Sequence, residues 1–164
     1  MWIIRERLLH NPDHITLALP DEVATLVLGA KLSQVLIGGL TIWLQGNLGA
    51  GKTTLVRGLL RELGYVGRVK SPTYTLVESY VVSGLYLYHF DLYRFVDPEE
   101  WDAAGFRDYF NAQSVCLIEW PDQAAGLIPQ PDIEISLVPS DSGRVATLSA
   151  TTETGQRCLE RFSR

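Results

Sequence analysis

The sequence predicts a single α/β domain, built on a mixed parallel and antiparallel sheet flanked by helices. Strand-like and helix-like segments alternate in the first half of the chain, and pairs of β-rich segments separated by short turns follow in the second half. The chain has 164 residues, 46% of them hydrophobic, and no linker-like stretch divides it. We therefore expect one domain over residues 14–164, preceded by an N-terminal extension of residues 1–13.

The first two predicted elements are a strand over residues 14–20 and a helix over residues 21–36. Asp21 is a favourable N-cap because its carboxylate can accept a hydrogen bond from the first helical turn. The helix is predicted to bury an apolar stripe at three-to-four-residue spacing, formed by Val23, Leu26, Val27 and Ala30.

A short buried strand over residues 40–45 and a second helix over residues 52–63 come next. Gly64 is expected to stop this helix, as glycine commonly does just past a helix C-terminus. The predicted buried face consists of Leu55, Val56, Leu59, Leu60 and Leu63.

The second half of the chain predicts two hairpins with a helix and a buried strand between them. The turn Ser83-Gly84 is typical of a two-residue hairpin loop, and Asp97-Pro98 is a strong helix start. The predicted elements are strands 73–82 and 85–94, helix 97–110, strand 114–120, and strands 132–139 and 144–150.

The net charge of −5, from 14 basic and 19 acidic residues, disfavours strong direct binding to nucleic acid. A local basic patch of Arg57, Arg61, Arg68 and Lys70 is the alternative, although solvated surface charges are the simpler interpretation of those residues. The two cysteines lack a metal-type spacing, the start of the chain does not resemble a secretory signal, and the apolar runs are short. We therefore expect a cytoplasmic protein that does not cross a membrane.

Residues 46–53, GNLGAGKT, match the phosphate-binding pattern G-x-x-x-x-G-K-[ST] between a strand and an amphipathic helix. Its glycines permit a backbone path along which successive N–H groups point inward, toward phosphate oxygens at the helix N-terminus. We expect Lys52 to reach the terminal phosphates and the Thr53 hydroxyl to bind Mg²⁺. The sequence therefore predicts a P-loop NTPase-like fold.

A P-loop requires a carboxylate on a neighbouring strand to complete the magnesium shell, and two acidic residues qualify. Glu119 lies at the carboxyl end of the buried strand SVCLIEW, where ligands gather in such sheets. Asp91 lies within the apolar strand that contains HFDLYR. A structural salt bridge to Arg94 is the alternative role for Asp91, and a plain strand-end acid is the alternative for Glu119.

Residues 70–78, KSPTYTLVE, lie where phosphate-sensing switch loops occur. Thr73 or Thr75 is a candidate γ-phosphate sensor, although the segment can equally be a turn entering a strand. His89 is better explained as a buried, hydrogen-bonded histidine than as a base, and Trp120 is a candidate to pack against the nucleotide site.

Four motifs in this order, GNLGAGKTTLVRG, SPTYTLVE, HFDLYR and IEWPD, resemble the bacterial TsaE family over roughly residues 19–150. The resemblance implies a small P-loop ATPase of tRNA threonylcarbamoyladenosine (t6A) biosynthesis. It would use ATP and Mg²⁺ and act with TsaD and TsaB, which transfer the threonylcarbamoyl group to adenosine 37 of tRNAs reading A-starting codons. The tRNA would be held by those partners.

The resemblance also implies residue roles. The phosphates would be bound by Leu48, Gly49, Ala50, Gly51, Lys52 and Thr53, and Mg²⁺ by Thr53 and Glu119. Lys52 and Asp91 would be catalytic, with Asp91 orienting the attacking water on the γ-phosphate side. Further nucleotide contacts would come from Glu22, Thr25 and Arg144. Asn47 departs from the aspartate usual in the family, which puts a detail of loop geometry in doubt.

Three other functions remain open from the residues alone. A metabolite kinase would have an arginine-rich lid segment, whereas Arg94 and Arg107 are scattered along this sequence. A GTPase would have an Asn-Lys-x-Asp motif late in the chain, and this sequence lacks one. A scaffold with a decayed site is opposed by four intact site residues, which are Lys52, Thr53, Asp91 and Glu119. Because no obvious arginine finger faces the loop, we expect slow hydrolysis that partners stimulate.

Overall fold

The computed structural model describes residues 13–164, which form one seven-stranded sheet with helices on both faces. The strands are β1 (His14–Leu19), β2 (Thr41–Gln45), β3 (Val77–Val82), β4 (Leu85–Asp91), β5 (Ser114–Glu119), β6 (Ile133–Ser140) and β7 (Gly143–Ala150). The helices are α1 (Glu22–Ser33), α2 (Lys52–Glu62), α3 (Pro98–Ala103) and α4 (Glu153–Phe162), with 3₁₀ segments at Phe106–Tyr109 and Pro121–Ala124. Within residues 13–164, no helix has the length and apolarity needed to span a membrane.

The strand order is β1-β7-β6-β2-β5-β4-β3, and the sheet is mixed as predicted. The four inner strands β6, β2, β5 and β4 are parallel to one another, whereas β7 with β1 on one side and β3 on the other add antiparallel pairs. Because β2, β5 and β4 run in the same direction, their carboxyl ends meet at one edge of the sheet. The residues that follow these three strands therefore lie close together.

Each face of the sheet carries its own hydrophobic core. One core packs β1, β6 and β7 and the middle of the sheet against α1, α2 and α4, with Leu44, Leu59 and Phe162 fully buried. The opposite core is aromatic and lies under α3, with Phe90 and Trp101 at its centre. Trp101 is therefore a core residue, whereas Trp43 is partly buried at the edge of this core.

Helix α1 begins as predicted but buries a different face. The Asp21 side chain accepts a hydrogen bond from the Ala24 N–H at 2.9 Å, which confirms the N-cap. The predicted stripe is wrong, because Val23 and Val27 are 55% and 39% exposed. The buried face consists instead of Ala24, Thr25, Leu28, Gly29, Leu32 and Ser33. Small residues on this face allow the backbones of α1 and α2 to approach closely.

The remaining boundaries differ from prediction at glycine and turn residues. The helix predicted over 97–110 ends at Ala103, because Gly105 adopts a left-handed conformation (φ 73°) and a 3₁₀ segment follows. The strand predicted from 73 begins only at Val77, and its partner ends at Asp91 rather than at 94. Helix α4 was not predicted.

The first hairpin turn is confirmed, with Ser83 and Gly84 both at positive φ. The predicted extension lies outside the described residues except for Asp13, whose carbonyl accepts a hydrogen bond from Ala150 N–H at 2.8 Å.

Candidate functional site: a phosphate-binding loop at the carboxyl edge of the sheet

The segment between β2 and α2 has the backbone path that a phosphate-binding loop requires. Gly46, Gly49 and Gly51 all have positive φ values, of 154°, 79° and 106°. At Gly46 a Cβ would also lie 2.8 Å from the Leu137 carbonyl oxygen, so the tight path excludes a side chain. Gly51 provides no side-chain cap for α2, which leaves the N–H groups of the first helical turn available to an anion.

Lys52 is the first residue of α2, and its ammonium group is held inside the loop. The Nζ atom donates a hydrogen bond to the Gly46 carbonyl at 2.6 Å and lies 4.0 Å from Glu119 Oε1. It also lies 3.8 Å from the centre of the Trp120 ring, a cation–π contact. Burial lowers the pKa of Lys52 below its ordinary value, while the charges of Glu119 and Asp91 oppose that shift.

Glu119 lies at the carboxyl end of β5, beside Leu44 of β2 in the parallel ladder. Its carboxylate is 3% exposed, and Oε2 accepts a hydrogen bond from the Thr53 hydroxyl at 3.4 Å. The same oxygen lies 2.6 Å from Nε2 of His89, which is completely buried on β4. The expectation that His89 is a buried, hydrogen-bonded histidine is thus confirmed, and its partner is the predicted metal ligand.

Asp91 is opposite Glu119 in the β4–β5 ladder and is 5% exposed. Its carboxylate accepts hydrogen bonds from the Ser71 hydroxyl and, at 3.0 Å, from the Tyr93 N–H. The alternative of a salt bridge to Arg94 is wrong, because the Arg94 guanidinium instead lies 5.0 Å from the centre of the Tyr74 ring. Ser71 was not predicted as a site residue; its place directly before Pro72 in the switch-like segment was the available signal.

A cavity of about 250 Å³ joins these groups. Its walls are the loop, the ends of β4 and β5, and the switch-like segment, with Trp120 beside Lys52. Of the two threonines predicted as alternative phosphate sensors, Thr73 lines this cavity with Ser71, whereas Thr75 faces a separate groove beside Leu76 and Phe106. The cavity lining is Leu48, Gly49, Ala50, Gly51, Lys52, Thr53, Thr54, Ser71, Thr73, Asp91, Glu119, Trp120 and Arg144.

Arg144, at the start of β7, lies beside the loop and lines the cavity. Its guanidinium donates to the Gly49 carbonyl at 3.3 Å and to the hydroxyl of the buried Thr25 at 3.4 Å. Arg144 is therefore an arginine beside the loop, but both of its contacting nitrogens are engaged, so it does not project as an arginine finger. Glu22 is exposed and does not line the cavity, and Asn47 is exposed with its carbonyl accepting from Ala50 N–H.

The oxygen atoms of Thr53 on α2 and Glu119 at the end of β5 fit a magnesium ion bound together with phosphate. Mg²⁺ prefers hard oxygen ligands and commonly takes one or two from the protein, with phosphate oxygens and water completing the shell. Thr53 and Glu119 supply such a pair, and residues 13–164 contain no cluster of three or more His, Cys, Asp or Glu side chains that would bind a metal alone. The donor set therefore fits a metal that is bound with its nucleotide.

The fold and the site define an α/β protein of the P-loop class. Strand β2 leads through the glycine-rich loop into a helix that starts with Lys-Thr, and the neighbouring parallel strand β5 ends in an acid. The solved structure of YdiB from Bacillus subtilis has this fold. It superposes with a TM-score of 0.77 at 26% sequence identity and covers 100% of this chain and 98% of that one.

The comparison of sequences identifies the family within this class. The family model described as threonylcarbamoyl adenosine biosynthesis protein TsaE matches residues 19–146. The tRNA threonylcarbamoyladenosine biosynthesis protein TsaE of Haemophilus influenzae is 45% identical over 156 residues, which cover 92% of this chain and 99% of that protein. Its Bacillus subtilis counterpart is 37% identical over 127 residues, with 77% and 79% covered. This chain belongs to the TsaE family of tRNA threonylcarbamoyladenosine biosynthesis, as its four motifs predict.

Proposed function

We propose that this chain is a Mg²⁺-dependent ATPase that supports formation of the threonylcarbamoyl group on adenosine 37 of tRNAs reading A-starting codons. The observation that carries the proposal is the convergence of Lys52 and Thr53 on Glu119, within 4.0 Å, at the mouth of a glycine-rich loop. That arrangement serves a polyphosphate and its metal better than any other ligand, because it combines anion donors with one oxygen-ligand pair.

In this proposal the loop binds the β- and γ-phosphates through the N–H groups of residues 48–53. Lys52 exchanges its hydrogen bond to the Gly46 carbonyl for phosphate oxygens, which are stronger acceptors for an ammonium group. Thr53 and Glu119 hold Mg²⁺, which neutralises charge on the phosphates when it is bound. Asp91 lies across from Glu119, where its carboxylate can accept a proton from, and orient, an attacking water.

The proposed partners are TsaD and TsaB, with tRNA bound by that pair rather than by this chain. The net charge of −5 supports this division, because direct binding to a phosphate backbone requires a cationic surface. We propose a cytoplasmic location for the same assembly. Hydrolysis by the isolated chain is proposed to be slow, because Arg144 is held by Thr25 and the Gly49 carbonyl instead of projecting freely toward a γ-phosphate.

The test is ATP hydrolysis measured with Mg²⁺ for this protein alone and then with its cognate TsaD–TsaB pair and tRNA. We expect stimulation by the partners, and we expect Glu119→Ala to abolish it. Glu160→Ala is the matched control, because Glu160 is an exposed residue of α4. Phosphate release that is equally fast with Glu119→Ala would contradict the proposed metal ligand, and phosphorylation of a small acceptor at one phosphate per ATP would indicate a kinase instead.

A further inference from the structure

Within residues 13–164, His89 is the histidine that is buried beside the proposed site. It lies in the middle of the sheet on β4, between Glu78 of β3 and Leu117 of β5, and none of its surface is exposed. Its Nε2 atom is 2.6 Å from Glu119 Oε2, the shortest polar contact that Glu119 makes among residues 13–164. Its Nδ1 atom has no hydrogen-bond partner within the same residues.

This contact pattern defines which ring nitrogen carries the proton. A carboxylate oxygen only accepts, so Nε2 is the donor in the His89–Glu119 bond. The unpartnered Nδ1 is less costly as a bare acceptor than as a buried N–H without an acceptor. The arrangement is therefore the Nε2–H tautomer, assigned from the hydrogen-bond geometry.

The bond fixes the rotation of the Glu119 carboxylate. Oε2 is held between the His89 ring and the Thr53 hydroxyl, and Oε1 is turned toward Lys52. Ordered donors of this kind orient a metal-binding carboxylate before the metal arrives, which reduces the rotamer entropy lost on binding. His89 is too deeply buried to touch a nucleotide itself and does not line the cavity.

We infer that His89 is a positioning residue that presets Glu119 for the metal of the metal–nucleotide complex. The inference rests on the proposed function, because it requires that Glu119 bind Mg²⁺. Loss of an outer hydrogen-bond partner typically weakens metal binding by about 10–100-fold. We expect a loss of that size for His89→Leu and a much smaller loss for His89→Gln, whose side-chain amide retains an N–H donor.

The test measures the affinity of Mn²⁺ for the protein in the presence of ADP, by electron paramagnetic resonance. His14→Leu is the matched control, because His14 is an exposed residue of β1 and bonds only to Ser149 among the described residues. Wild-type affinity in His89→Leu would overturn the inference. A wild-type protein that binds no Mn²⁺ with ADP would overturn the proposed function itself, so the two failures are distinguishable.

A second measurement observes the ring of His89 directly and does not depend on a variant at His89. The ¹⁵N spectrum of histidine-labelled protein is expected to contain one buried ring with a protonated Nε2 and an unprotonated Nδ1. Glu119→Gln is expected to shift the Nε2 signal, because the carboxylate acceptor is replaced by an amide. A His89 ring protonated at Nδ1 alone, or one whose signals ignore Glu119→Gln, would refute the positioning role.

Discussion

The contact between α1 and α2 gives the sharpest stability prediction, because it is made by two glycines on facing helices. A Cβ at Gly58 of α2 would lie 2.2 Å from the Leu26 carbonyl oxygen, and a Cβ at Gly29 of α1 would lie 2.1 Å from the Leu55 carbonyl oxygen. Carbon–oxygen contacts in proteins are ordinarily about 3.3 Å or longer. Gly58→Ala therefore requires the two backbones to separate by roughly 1 Å, since neither obstacle is a flexible side chain.

The magnitude follows from two opposing effects. Overpacking of this kind costs about 3 kcal/mol, the upper end of the usual range. Part of that cost arises because separating the helices by up to about 1 Å weakens each dispersion contact between them by a quarter to a half. The higher helix propensity of alanine returns about 1 kcal/mol. We expect Gly58→Ala to lower the free energy of unfolding by about 2 kcal/mol, which corresponds to a Tm lower by roughly 4–8 °C.

Urea unfolding followed by tryptophan fluorescence is the assay. Arg61→Ala on the exposed side of α2 is the control and should change stability by about 0.5 kcal/mol or less. The double variant Gly29→Ala with Gly58→Ala should cost less than the two single changes together, because the first Cβ already separates the helices. A Gly58→Ala protein as stable as the wild type, or fully additive costs, would refute the close-approach reasoning.

Four further outcomes are expected. Lys52→Ala should weaken binding of a fluorescent ATP analogue about 10–100-fold, measured by titration, because charge-assisted hydrogen bonds contribute about 1.5–3 kcal/mol each. Burial lowers the pKa of Lys52 from 10.5, so at alkaline pH the unfolded chain binds more protons than the folded protein. The free energy of unfolding should therefore rise with pH between about pH 8 and 10, more steeply in wild type than in Lys52→Met, when it is measured by urea unfolding. Arg144→Ala should weaken analogue binding in the same titration, since the Gly49 carbonyl and Thr25 lose their shared donor. Burial raises the pKa of Cys116 to about 12 and that of Cys158 above its ordinary value, so neither thiol should react with Ellman's reagent at about pH 8 until urea is added.

The site was more predictable than the packing, for a physical reason. Gly46, Gly51 and Lys52 are prescribed by local backbone geometry and by phosphate chemistry, so their spacing alone carries the signal. Glu119 and Asp91 could be placed because acids at the carboxyl ends of parallel strands converge. The contacts that complete the site join residues far apart in sequence, such as Arg144 with Thr25 and Glu119 with His89, and no local pattern encodes them.

Two errors of prediction, the buried face of α1 and the missed helix α4, also have identifiable causes. Hydrophobic periodicity assigns the larger apolar residues of α1 to the core, but a helix that packs on another at glycine contact buries its small residues and leaves Val23 and Val27 outside. Helix α4 is mostly polar, and only Cys158, Leu159 and Phe162 form its buried stripe together with Gly155. The Thr152 cap, which accepts from the Gly155 N–H at 3.1 Å, was the readable start signal.

The two site carboxylates favour one form of the nucleotide over another. Glu119 and Asp91 are both buried, and their donors include the His89 ring, the Thr53 and Ser71 hydroxyls and the Tyr93 backbone N–H. The Lys52 ammonium lies beside Glu119 and also contacts the Gly46 carbonyl and the Trp120 ring. Carboxylates at this position attract a divalent ion, whereas they repel free triphosphate. The proposed ligand is therefore the metal–nucleotide complex, and ATP stripped of metal should bind more weakly than its Mg²⁺ complex.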